Sequence, residues 1–208
     1  IRDGATVYYF KYFVVEADYA TVSLFGVSFV LSGLYLAVGQ AANIVGVILA
    51  APLSNRIGKK MTYMGAMVIA TVLSIVFYWF DKDDIALIFV FQILISVCAG
   101  SIFPLLWSMY ADVADYHTEH FGTSATGLIF SSGTMSQKFG TAISGSLIAL
   151  FLGWAGANMI TDKMGNTMID PASVTDSVLT MVWSLFSLFP AVIAFLLMVL
   201  AWKFPIRK

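Results

Sequence analysis

The chain has 208 residues, of which 60% are hydrophobic and 11% charged, and its mean hydropathy is +0.88, values that exclude an ordinary soluble domain and place it in a membrane. A net charge of -1 and a pI near 6.1 offer no footprint for nucleic acid. The single cysteine, Cys98, lies inside an apolar run, so no disulfide framework can form within the chain.

Ile1 to Val15 is apolar and aromatic apart from Arg2, Asp3 and Lys11, and as a helix it reaches only about 22 Å, short of a hydrocarbon core roughly 30 Å thick. A charged terminus at that depth is costly, so the expectation is a partial helix over 1–15 and a sequence that begins in mid-helix. Glu16 and Asp18 suit an outer connection. Uncharged runs then follow at Ala20 to Asn55, Met61 to Phe80, Ile85 to Ala111, Phe139 to Thr161 and Ser177 to Trp202. Each reaches the roughly 20 residues that a crossing needs. The uncharged stretch Gly122 to Gln137, with only Lys138 between, lengthens the fourth. Helices are therefore expected near 23–52, 61–80, 85–109, 124–154 and 178–202. The runs recur to the C-terminus without a short apolar region and cleavage site at the start, which argues against a cleavable signal peptide. Gly156 to Asp176, rich in Gly, Asn, Asp and Pro, reads as a surface loop.

Basic residues orient these spans. Arg56, Lys59 and Lys60 fill one connection and Lys203, Arg207 and Lys208 the tail, whereas the opposite connections hold only Lys82 and Lys163. The positive-inside rule puts Arg56 to Lys60, the Tyr110 to Thr123 connection and the C-terminus in the cytoplasm.

Lys138 carries most information. If its helix begins near Ser124 it lies about 21 Å along the axis, where an ammonium costs roughly 2.5 to 3.5 kcal/mol and should face protein or a water-filled cavity. Thr134 and Ser131 extend a polar stripe on its face, as the wall of a ligand cavity would; a structural ion pair with an acid on another helix is the alternative. Tyr8 and Tyr9 combine an apolar ring with a hydroxyl suited to sugars, with Arg2 beside them, although interface anchoring explains Lys11 and Tyr12 equally well. Trp107, just beyond Pro104, can stack on a sugar or fill a core. Gln40 and Asn43 can line a passage or bond between helices. Asp112 and Asp115 share one side of a short helical extension, opposite Arg56, Lys59 and Lys60, and opposite charges there can form a cytoplasmic gate or a permanent surface cluster. His117, Glu119 and His120 lack the His-Glu-x-x-His arrangement of a zinc hydrolase, no serine sits in an elbow motif, and Gly133 and Gly140 suit close helix packing instead of a phosphate loop.

In this order the segments Ile1-Arg2-Asp3-Gly4 with Tyr8-Tyr9-Phe10-Lys11-Tyr12, Pro52 to Lys60, Ala111-Asp112-Val113-Ala114-Asp115-Tyr116, and Gly127 through Phe130-Ser131 to Gln137-Lys138-Phe139-Gly140 resemble the C-terminal half of the glycoside-pentoside-hexuronide cation symporters, relatives of the melibiose permease within the major facilitator superfamily. The resemblance implies an all-α polytopic membrane protein: the C-terminal six-helix bundle of a twelve-helix transporter, its first helix truncated. It implies symport of a sugar or glycoside with sodium or protons in a bacterial inner membrane, without enzymatic chemistry or a cofactor. Lys138 and Thr134 match the eleventh-helix positions near sugar and cation, Arg2, Tyr8 and Tyr9 the seventh-helix segment near the cavity, and Asp112, Asp115 and Arg56 the gating network. The main cation site is expected in the N-terminal half, which would be the partner of this chain together with substrate, cation and membrane lipid. Ser124-Ala125-Thr126 replaces the Arg-x-Glu that many relatives carry before Gly127, which removes charge from the gate. A structural or regulatory membrane module, or a facilitator carrying a different small solute, stands as the alternative.

Overall fold

The computed structural model describes residues 2–14, 21–24, 27–80, 84–161 and 167–203. Glu16, Asp18, Lys82, Asp83, Lys163, Arg207 and Lys208, placed in connections or the tail above, lie outside the described residues.

Helix α1 (Arg2–Tyr8) continues as a π-helical stretch, Tyr9–Val14. An antiparallel pair follows, β1 (Thr21–Leu24) with β2 (Val27–Val30), in the register Thr21 to Val30 and Leu24 to Val27. This corrects the expected start of the second helix at residue 23. The segment is dense in Val, Thr and Phe, which favour extended backbone as readily as an apolar helix, so absence of charge alone did not choose between them. Helix α2 runs Leu31–Ile57, about 40 Å, and still spans a bilayer. It stops at Gly58, whose φ of 88° favours glycine, and α3 (Lys59–Phe77) begins at once.

Helix α4 (Ile85–Phe121) is 37 residues long, about 55 Å, and runs through the expected connection after residue 109. Nothing between Tyr110 and Phe121 breaks a helix; the first residue able to do so, Gly122, closes it in the left-handed conformation at φ 67° and donates to the Thr118 carbonyl. Helix α5 spans Thr126–Trp154. The loop after it holds a short antiparallel pair, β3 (Met159–Thr161) and β4 (Thr167–Ile169), and a 3-10 turn at Pro171–Ser173. Helix α6 (Asp176–Phe186) is capped by Thr175, whose hydroxyl accepts from the Val178 N–H. It gives way at Ser187 to α7 (Leu188–Trp202). Pro190 explains the break: it has no N–H for the Phe186 carbonyl four residues earlier.

With α6 and α7 counted as one interrupted helix, six helices pack together among the described residues, as in a half-bundle of the major facilitator type with a shortened first helix. Four are long and apolar enough to cross a membrane: Leu31–Ile57, Lys59–Phe77, Ile85–Phe121 and Asp176–Trp202. Helix α5 is long enough but too polar to join them.

Two apolar cores hold the bundle. At one end Tyr9 stacks on Phe186 with ring centroids 4.2 Å apart, Phe77 closes on Phe186 at 5.2 Å, and Tyr35 bridges Phe10 and Phe89. At the other, Ala50, Tyr63, Met67 and Leu105 pack with Ile102, Met198 and Ala201. Between them α2 and α4 cross in backbone contact, because a Cβ at Gly46 would overlap the Val97 carbonyl and one at Gly100 the Asn43 carbonyl.

Candidate functional site: a one-sided polar groove on α5

Along α5, Ser131, Thr134, Met135, Lys138, Phe139 and Ala142 line a concavity of about 430 Å³. Their spacing puts them on one helix face, so among the described residues a single helix supplies the lining. Only Ile148 and Leu152 of α5 are buried. Lys138 is exposed, and among the described residues no acid pairs with it and no acceptor takes its protons. The structural ion pair considered for it does not form among the described residues.

The hydroxyls around Lys138 point their protons at their own helix. Ser131 donates to the Gly127 carbonyl at 2.6 Å, and Thr134 to the carbonyls of Phe130 and Ser131 at 3.1 and 2.9 Å. With the protons engaged, the oxygen lone pairs remain available as acceptors, while the ammonium offers donors and Phe139 an apolar face. The wall can therefore accept from hydroxyl groups, donate to them, and cover a C–H surface.

The other residues singled out for substrate lie elsewhere. Trp107 stacks on Phe130 at 5.7 Å and 16°, with Tyr110 edge-on to it, and so braces α5 against α4 without lining the groove. Arg2 donates from Nη2 to the Tyr35 hydroxyl at 2.9 Å and lies over the rings of Phe77 and Phe186 at 5.2 and 4.9 Å. Tyr9 is fully buried against Phe186, and Tyr8 is half-buried beside it. These three belong to the aromatic core. Gln40 accepts from Asn43 within α2 at 3.3 Å. Sequence reasoning missed Gln92, which is 4% exposed at the α2–α4 crossing with an unpartnered Oε1. Its signal was an amide within an otherwise apolar span.

Of the five gate residues, two meet: Lys59 Nζ lies 2.7 and 2.8 Å from the carboxylate oxygens of Asp112, tying α3 to α4. Lys60 donates to the Trp202 carbonyl at 2.9 Å and joins α3 to α7. Arg56 and Asp115 are exposed and form no ion pair among the described residues. Glycine packing divides as well: a Cβ at Gly133 would press on the Tyr110 ring, whereas Gly140 faces open space. His117 and His120 turn Nδ1 toward the carbonyls of Thr123 and Tyr116, each at 3.0 Å.

The sequence matches a family model described as MFS/sugar transport protein over residues 1–208. The chain belongs to this family. Membership in this transport family supports a function without an enzymatic step. The sugar-transport family relatives include a glucuronide carrier protein homolog of Escherichia coli (strain K12), 31% identical over 74% of this chain and 34% of its own length. An isoprimeverose transporter of Lactiplantibacillus pentosus is 31% identical over 74% of this chain and 30% of its own. The inner membrane symporter YicJ of Escherichia coli (strain K12) is 25% identical over 93% of this chain and 39% of its own. The chain spans about a third of the length of these relatives. No solved structure matches.

Proposed function

We propose that the chain is the C-terminal six-helix half of a bacterial inner-membrane transporter that imports a sugar or glycoside together with sodium or protons, and that the α5 groove is one wall of its central site. The observation that carries this reading is the uncovered polar stripe Ser131, Thr134 and Lys138 on one face of α5, where an ammonium is costly against lipid. A second six-helix half would supply the opposite wall, and alternating access would proceed by rocking of the halves about the site. The cation would act by changing sugar affinity or the balance of conformations.

The Lys59–Asp112 pair suits the end of the bundle that the Lys and Arg bias assigns to the cytoplasm, and there it would hold α3 and α4 as one body. Uptake into proteoliposomes by the full-length protein, with a panel of sugars and separately imposed sodium and proton gradients, tests the reading. Gradient-driven accumulation of at least one sugar is the expected result. No accumulation across the panel under either gradient would reject sugar symport.

A further inference from the structure

A second groove, of about 490 Å³, opens between α3, α4, α5 and α7 at the end of the bundle that carries Lys59 and Lys60. Its wall is apolar, with Leu106 and Met109 of α4, Ile129 of α5, and Leu197 and Leu200 of α7. Two phenols face it. Tyr63 is 6% exposed, and neither its hydroxyl nor that of Tyr110 has a hydrogen-bond partner among the described residues. Both hydroxyls are reachable from the groove, and a ligand there could pair with both. Two lysines neighbour the lining in sequence: Lys60, one turn before Tyr63, donates to the Trp202 carbonyl next to Ala201, and the exposed Lys203 follows two residues after Ala201.

Along the first turns of α3 the order is therefore charge, then hydroxyl, then apolar wall, with Lys60 and Tyr63 about 4.5 Å apart along the axis. A glycerophospholipid presents the complementary order of phosphate, ester carbonyls and acyl chain. Tyr63, Tyr110, Ser132 and Ser136 bring hydroxyls to the groove, but most of its lining is apolar: an acyl chain would leave that wall dry, and the ester oxygens would accept from both phenols. The two lysines favour an anionic headgroup.

We propose that this groove binds an anionic phospholipid, its phosphate at Lys60 and Lys203, its ester carbonyls at Tyr63 and Tyr110, and one acyl chain between α4 and α7. The site shares α5 with the polar groove: Ser132, Gly133 and Ser136 face the lipid side, Ser131, Thr134 and Lys138 the other. Lipid would thus brace α5 from behind. Binding itself does not depend on what the protein transports.

The test is native mass spectrometry of the full-length protein titrated with palmitoyl-oleoyl phosphatidylglycerol or phosphatidylcholine, with thermal melting as the control for folding. Phosphatidylglycerol should bind more tightly than phosphatidylcholine. The double variant Lys60→Gln/Lys203→Gln should weaken phosphatidylglycerol about fivefold or more while leaving phosphatidylcholine unchanged, and Tyr63→Phe/Tyr110→Phe should weaken both lipids. Equal affinity for the two lipids in the unmodified protein, or unchanged affinity in both folded double variants, would overturn the proposal. Should the variants not fold, photocrosslinking of the unmodified protein with a diazirine-acyl phosphatidylglycerol decides. Labels on Leu106, Met109, Leu197 or Leu200 support the site, and labels confined to other segments overturn it, including the case in which another part of the full chain fills the groove.

Discussion

Lys138 and Lys59 are both lysines near helices, yet their surroundings assign them different work. Lys59 has its carboxylate at 2.7 Å and is partly exposed, so a double-mutant cycle of Lys59→Ala and Asp112→Ala on thermal unfolding should return a coupling of only about 0.2 to 1 kcal/mol. Lys138 has no protein partner among the described residues and stands beside Thr134 on the groove. In the full-length protein Lys138→Ala should lower gradient-driven sugar accumulation about tenfold or more, corrected for membrane abundance, while Lys163→Ala, in a loop by its sequence, should change it less than twofold. Weakened sugar binding would assign contact with the ligand, and preserved binding with impaired counterflow a conformational role. Normal binding and normal uptake would remove Lys138 from the site. Of the six substrate candidates, spacing along one helix correctly grouped Lys138 with Thr134. It could not show that Arg2 and Tyr9 turn into an aromatic core, since the rings that receive them come from α3 and α6.

Helix crossings set the next scale. At Gly100 any side chain meets the Asn43 backbone, which cannot move aside as a flexible side chain would, so Gly100→Ala should destabilise the protein by about 1 to 3 kcal/mol. Gly140 faces open space on α5, and there Gly140→Ala should be neutral or stabilising by up to about 1 kcal/mol through helix propensity. Thermal melting of the two variants side by side separates the cases; equal destabilisation would contradict the close α2–α4 crossing. Most helices were legible as uncharged runs of sufficient length. The start of α2 was not, because Val, Thr and Phe without charge suit a strand as well as a span, and the end of α4 was not, because charge marks the water boundary and Gly122 marks the helix boundary.

At the scale of the whole molecule, the order of crossings and the basic bias predict an orientation that labelling can check. Cysteines substituted at Lys60 and Lys208 should be shielded from an impermeant maleimide in sealed cells, and cysteines at Asp83 and Asp170 should react. Equal labelling at Lys60 and Asp83 would reject the topology. Because among the described residues the polar groove has a lining from α5 alone, residues 1–208 by themselves should not accumulate sugar in proteoliposomes under conditions in which the full-length protein does. Robust uptake by the shorter chain would show that one wall suffices.

Composition and charge spacing by themselves determined that the chain lies in a membrane and roughly where four of its helices cross, since transfer free energies depend on residue type and run length alone. Tertiary structure decided which polar groups are free and which are spent. Lys59 is committed to Asp112, Arg2 to Tyr35 and two aromatic rings, while Lys138 and the Tyr63 and Tyr110 hydroxyls line grooves without a hydrogen-bond partner among the described residues. Hydrogen bonds and ring contacts act over a few ångströms between residues far apart in the chain, and only packing brings those residues within reach.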